Sequence, residues 1–184
     1  MADYVDKSYQ QFKEDFETKV KSLRDAALFA TIYCGYARVG EITRSRYSKQ
    51  PSILKSNISL TEEHLLLKIR TEKTGSRNTM RTVPTSRKLE GWLHEPILAY
   101  MKQVNGDELF PFSTRLAEMR FEKWFGTQHI HLLRHWACTH CLEGYRSVKR
   151  LEIHDVARLG GWSDFNMCYK TYGHISSASL QKRI

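Results

Sequence analysis

A chain of 184 residues with 41% hydrophobic and 27% charged side chains has room for one well-packed domain and too little for two full ones. That balance excludes a disordered chain, and the longest apolar-rich stretch, Ala26–Ala37, is too short to cross a bilayer. The net charge of +9 suits a polyanionic partner, because neutralised phosphates release condensed counterions; a solubilising basic surface or attraction to anionic lipid fits the charge as well.

Along the chain, residues 1–24 carry five acids and five bases, so all of the excess charge lies in residues 25–184. Apolar residues at positions 4, 5, 9, 12, 16 and 20 form a helical stripe, expected as a peripheral helix or the remnant of an interdomain connector. Ser22 reads as the N-cap of a helix over residues 23–34 that ends at Gly35. Arg38-Val-Gly-Glu41-Ile42 opens a short helix after that break. Ile58–Leu60, His64–Ile69 and Met80–Pro84 read as strands around a turn at Thr74–Thr79, with Lys73 at the rim. Pro84 either ends the last strand or marks an edge.

The remainder is helical. Leu89–Val104 has apolar residues at helical spacing, Ser113 caps a helix to Trp124, and His131–Glu143 ends at Gly144. Two short helices, Leu151–Leu159 and Asp164–Tyr172, flank Gly160-Gly161. The expected fold class is α+β, mainly helical, with a small antiparallel sheet inserted between helices. No signal segment opens the chain, so an intracellular, cytoplasmic protein with no membrane association is expected.

His131-Leu-Leu-Arg134 carries the most chemistry. Three residues apart on a helix, the two side chains point the same way. A guanidinium grips phosphate oxygens bidentately, and an imidazole handles a proton beside it. Arg38 offers a second guanidinium. Lys73 offers a proton donor whose pKa falls among other cations, and Tyr172 offers a nucleophile. Cys138-Thr-His-Cys141, followed by His154, has a finger-like interval, but the second ligand pair is incomplete because Arg158 stands where a closing histidine is needed. The pair lies within a helical run, so both cysteines are read as packing residues and no metal is expected. Trp92, Phe110, Phe112 and Trp124 are read as core.

In order, these motifs resemble the catalytic domain of the tyrosine recombinases, or phage integrases. Gly35-Tyr-Ala-Arg38-Val-Gly-Glu41-Ile42 is similar to the first box. Glu72-Lys73-Thr74-Gly75 through Arg81-Thr82-Val83-Pro84 resembles the β-hairpin, and His131-Leu-Leu-Arg134-His135 the second box. Leu159-Gly160-Gly161-Trp162-Ser163-Asp164 with Tyr172-Gly-His174 resembles the closing box.

The resemblance implies a tyrosine-recombinase catalytic-domain fold over residues 25–184, with a short tail at 173–184. It implies a site-specific recombinase that cuts and rejoins DNA through a covalent 3′-phosphotyrosyl intermediate, without metal or nucleotide cofactor. Arg38 and Arg134 would bind the scissile phosphate, Lys73 would protonate the departing 5′ oxygen, and His131 would assist proton transfer. Trp162 would contact the phosphate, Glu41 would orient its cationic neighbours, and Arg77 would join Arg38, Lys73 and Arg134 in contacting double-stranded DNA. Family spacing from the Trp162 position falls on Thr171, a departure; because Tyr172-Gly-His174 resembles the family's Tyr-x-His ending, the nucleophile is expected at Tyr172, with Tyr169 the alternative one turn earlier on the same face. Residues 1–24 cannot supply the N-terminal domain usual in the family, so an excised fragment or a minimal enzyme is expected. It would be a monomer in solution, dimeric to tetrameric on DNA, and nucleoid-associated in a prokaryotic, viral or plasmid setting. A DNA-binding protein on the same scaffold that has lost strand cleavage is the alternative.

Overall fold

The axis of the fold is α2 (Leu23–Cys34), in which every residue from Asp25 to Cys34 is buried. A helix apolar on all sides must be surrounded, and its neighbours do so. The computed structural model describes residues 7–45, 50–71, 79–149 and 151–172. Within them lie α1 (Tyr9–Lys19), α3 (Val39–Ile42), α4 (Arg87–Gln103), α5 (Thr114–Phe125), α6 (Leu132–Leu142) and α7 (Ile153–Gly160). A last helix, α8, occupies 165–172. None of the described helices is long and apolar enough to cross a membrane.

The sheet lies between α3 and α4 and comprises β1 (Ile58–Leu60), β2 (His64–Thr71) and β3 (Thr79–Ser86), antiparallel in that order. Alternation in β2 buries Leu65, Leu67, Ile69 and Thr71. β3 lies at the sheet edge, the position that tolerates proline, and it runs past Pro84 to Ser86. Ser86 then caps α4 by accepting the Leu89 N–H at 3.4 Å. The helix therefore starts at Arg87, ahead of the apolar pattern at Leu89, and continues through Pro96. The molecule is thus α+β and mainly helical, with a small antiparallel sheet inserted between helices.

α1 keeps most of its residues exposed or partly exposed and drives Phe12 and Phe16 into the core. Phe12 stacks on Tyr33 with ring centres 4.5 Å apart and lies against Trp92 and Trp136. Across α2, Asp25 accepts hydrogen bonds from Arg120 at 2.8 Å and Trp124 at 2.9 Å, tying down α5. A buried carboxylate has to be paired in this way.

The end of α2 differs in detail from the glycine cap that the sequence suggests. Tyr36 N–H donates to Tyr33 O at 3.2 Å and Ala37 N–H to Ile32 O at 3.0 Å. This is the Schellman pattern, but its left-handed residue is Tyr36, with φ +49°, while Gly35 remains right-handed. Glycine is needed at 35 for a different reason. A Cβ there would lie 2.3 Å from Ile69 Cδ1 and 3.0 Å from Thr31 O, so its absence lets β2 reach the helix.

Gly35→Ala should therefore destabilise the fold. The entropic gain of about 0.4–1 kcal/mol is outweighed by overpacking of about 1–3 kcal/mol. Adding Ile69→Val, which removes the clashing Cδ1, should recover part of the loss in denaturant unfolding. Strictly additive effects of the two changes would refute the close approach as the reason for glycine.

Candidate active site

α6 carries Arg134 into the interior, where it is 1% exposed. Its Nη1 donates to the Tyr36 carbonyl at 2.7 Å, so the left-handed turn at Tyr36 aims an acceptor at this arginine. Strain of this kind persists only where the surroundings hold it in place. The guanidinium carbon lies 3.8 Å from the centre of the Trp162 ring, a cation–π stack. Nη2 is buried with no hydrogen-bond partner among the described residues. Burial, together with the positive charge of Arg38 and against the opposing effect of Cys138, lowers the Arg134 pKa to about 10. It stays charged at neutral pH.

Trp162 reaches this position because two glycines precede it. A Cβ at Gly160 would lie 1.9 Å from Trp162 Cζ3, inside the ring's own space. Gly161 ends α7 in the left-handed region, with φ +72°, and turns the chain back over Arg134.

Arg38 stands at the N-cap of α3 with its side chain 38% exposed. Glu41, one turn on and fully buried, accepts the Arg38 backbone N–H at 3.0 Å and its Nη1 at 3.4 Å. The same carboxylate accepts Arg81 Nη2 at 2.7 Å. Burial alone would raise the Glu41 pKa, but the charge and hydrogen bond of Arg81, with the Arg38 N–H and Arg134 adding to them, hold it below the ordinary value.

His131 precedes α6 with a right-handed backbone and no cap made by its side chain. Although it keeps solvent exposure, desolvation by the surrounding protein and the charges of Arg134, Arg38 and His135 lower its pKa to about 4. The two guanidinium charges make that direction secure. At neutral pH the imidazole is uncharged and able to accept a proton.

Burial separates Tyr169 from Tyr172, which the sequence placed on one face. Cys168 and Tyr172, at i and i+4, form the inward stripe of α8, while Tyr169 is 55% exposed. The Tyr172 hydroxyl lies 3.3 Å from His135 Nδ1, and its ring meets Trp162 edge-on at 6.2 Å. Burial and the neighbouring Cys138 push its pKa well above the ordinary phenol value, with Arg134 pulling the other way. Arg38, Glu41, His131, Arg134, Trp162 and Tyr172 are thus linked by contacts or electrostatic interaction. Lys73 and Arg77 fall outside the described residues, as does His174.

Cys138 and Cys141 are buried core thiols on α6, and His154 is an exposed residue of α7. Elsewhere, ligand atoms of Cys34, Glu90 and His94 lie within 4.8 Å of one another, but Glu90 is already neutralised by the buried Arg146. Sequence reasoning gave no role to Arg81 or to the Tyr36 carbonyl. Arg81 was detectable: it shares the inward face of β3 with Val83 and Thr85, and an inward arginine needs a buried acid.

His131 should stay neutral until the pH falls to about 4, and Arg38→Met, which removes one nearby cation, should raise that value. Ring-proton NMR titration measures both; an unchanged value in the variant would rule out the charge coupling. An unfolded histidine takes up its proton near 6.5, so this group makes stability fall as the pH drops from 6.5 to 4. His94, also lowered to about 4 by burial and by Arg146 and Arg87, adds to the same slope.

No protein-family model and no curated protein matches the chain. Solved structures do. The XerH site-specific recombinase bound to its difH substrate before cleavage aligns with a TM-score of 0.64 at 16% identity, covering 90% of this chain and 49% of that one. The XerH post-cleavage complex with palindromic difH gives 0.59 at 16% identity, over 95% and 50%. The Tn1549 transposon integrase in complex with transposon right-end DNA gives 0.56 at 12% identity, over 100% and 67%. This chain spans about half the length of the XerH chains it matches. What the likeness establishes is architecture: the chain has the fold of a tyrosine-recombinase catalytic domain.

Proposed function

We propose that this chain is the catalytic part of a site-specific DNA recombinase. One observation carries the reading: Arg134 is buried and charged, with Nη2 unpartnered. An unsatisfied buried donor on a charged group costs about 1–3 kcal/mol or more, which a phosphate oxygen would offset. Around it stand a half-exposed arginine, a neutral imidazole and a phenol, the set that metal-free phosphoryl transfer requires.

On this reading Arg38 and Arg134 hold the non-bridging oxygens and stabilise the charge that develops on them. Tyr172 attacks phosphorus and gives its proton to a neutral acceptor, with His131 assigned that part. The bond to the 5′ oxygen breaks, and Lys73 protonates the leaving alkoxide. The 3′-phosphotyrosine conserves the bond energy, so a later 5′ hydroxyl reverses the step without a nucleotide. Trp162 packs on the face of the Arg134 guanidinium, which leaves its edge, with the unpartnered Nη2, for the phosphate. Strand exchange on a two-fold DNA site would pair subunits, and four would complete it.

The buried Tyr172 hydroxyl, turned toward His135, favours a second reading: a DNA-binding protein that no longer cuts. A pool of end-labelled nicked duplexes with randomised cores separates the two. The enzyme reading expects a covalent adduct on denaturing gels, abolished by Tyr172→Phe and spared by Tyr169→Phe. The reverse pattern would move the nucleophile to Tyr169. Salt-sensitive duplex binding with no adduct from any duplex would favour the second reading.

A further inference from the structure

Arg81 makes more fixed contacts than the residues the chemistry needs. Nε donates to Leu159 O at 2.9 Å, Nη1 to Thr71 Oγ1 at 3.0 Å, and Nη2 to Gly35 O at 3.5 Å and Glu41 Oε2 at 2.7 Å. These acceptors belong to the end of α7, to β2, to the end of α2 and to α3. A guanidinium held from four segments cannot follow a moving partner. The side chain is 10% exposed, and a Cβ on Gly161 would press within 3.1 Å of its Nη1, so the pocket around it is closed.

Among the described residues, Arg81 and Arg38 donate to Glu41 with unequal claims. Its carboxylate is closer to Arg81, at 2.7 Å, than to the Arg38 guanidinium, at 3.4 Å. A buried carboxylate demands a counter-charge. If Arg81 supplies it, the hold of Glu41 on Arg38 stays long, at 3.4 Å, and Arg38 can turn to an incoming anion. If Arg81 does not, Arg38 is the next cation within reach.

We propose that Arg81 is a positioning residue: by neutralising Glu41 from a fixed point, it keeps the Arg38–Glu41 ion pair long and weak, so that Arg38 can turn to the scissile phosphate. The residue touches no substrate and acts through Glu41. This deepens the recombinase reading and rests on it.

The distinguishing property is suppression. Arg81→Gln removes the nearer counter-charge from Glu41, so Arg38 should close onto it. Loss of one charge-assisted contact in the transition state corresponds to a cleavage rate lower by about 10–100-fold. Adding Glu41→Gln removes the captor, and most of the lost rate should return. Arg81→Lys, which keeps the charge without the planar fork, should fall between wild type and Arg81→Gln. Thr71→Val, a near-isosteric change, removes one anchor of Arg81 and should give a smaller loss that Glu41→Gln also suppresses. It serves as the test variant if Arg81→Gln fails to fold by circular dichroism.

Single-turnover adduct formation is measured on a nicked duplex recovered from the randomised pool. A purely structural role predicts losses that Glu41→Gln does not relieve in either background, and that result, or a wild-type rate in Arg81→Gln, overturns the proposal. If wild type forms no adduct, the recombinase reading fails instead. The positioning proposal is then decided by the NMR signal of Arg38 Nε–H with inorganic phosphate: binding lost in Arg81→Gln and restored by Glu41→Gln supports it, and binding equal in all three chains refutes it.

Discussion

The carboxyl end of α2 is the constraint on which the rest of the molecule depends. A helix leaves its last carbonyls without intrahelical partners, and here four successive ones are met by arginines from elsewhere. Arg146 donates to Tyr33 O and Cys34 O at 3.3 and 3.4 Å, Arg81 to Gly35 O at 3.5 Å, and Arg134 to Tyr36 O at 2.7 Å. Cations are favoured at this end of a helix dipole. The three arginines come from the segment after α6, from β3 and from α6, so one helix end gathers the sheet and the carboxyl-terminal helices around it.

Such crowding of like charge needs relief, and the relief is selective. Arg146 is paired with Glu90 and flanked by the Tyr33 and Tyr36 rings at 4.4 and 4.2 Å. Arg81 is paired with Glu41. Arg134 alone of the three has no carboxylate hydrogen-bonded to it among the described residues, only a carbonyl and the face of Trp162. The fold therefore gives hydrogen-bonded carboxylates to two of the three cations and leaves the one at the candidate site with only the through-space charge of Glu41. An electrostatic hole of that kind is complementary to an anion before the anion arrives.

Much of this was legible in the sequence, for local reasons. Helix starts at Ser22 and Ser113 follow from capping chemistry that a few neighbouring residues decide. The boundaries of β2 and β3 were less visible, because strand ends are fixed by pairing across the ladder, as with Thr71 opposite Thr79. Of the candidate site, His131, Arg134, Arg38 and Trp162 could be named from spacing and resemblance. Their surroundings could not. Nothing local to Tyr36 signals a left-handed tyrosine, since glycine beside it is the expected occupant of such a turn; the close approach of Ile69 to Gly35 likewise comes from a distant strand. The role of Arg81 likewise depends on contacts from 10 to 78 residues away in sequence.

The two candidate tyrosines show how far local reading can mislead about state. Helix phase gave Tyr169 and Tyr172 equal standing, yet packing gives one to solvent and the other to an apolar pocket beside Cys138 and His135. In that pocket burial favours the protonated phenol. The same pocket lies within electrostatic reach of Arg134, whose charge opposes the effect of burial. Moving the hydroxyl a short way toward the guanidiniums would trade a medium that suppresses the phenolate for one that stabilises it. Trp162 touches both partners, stacking on Arg134 and meeting the Tyr172 ring edge-on. One side chain thus packs against both the buried cation and the buried phenol.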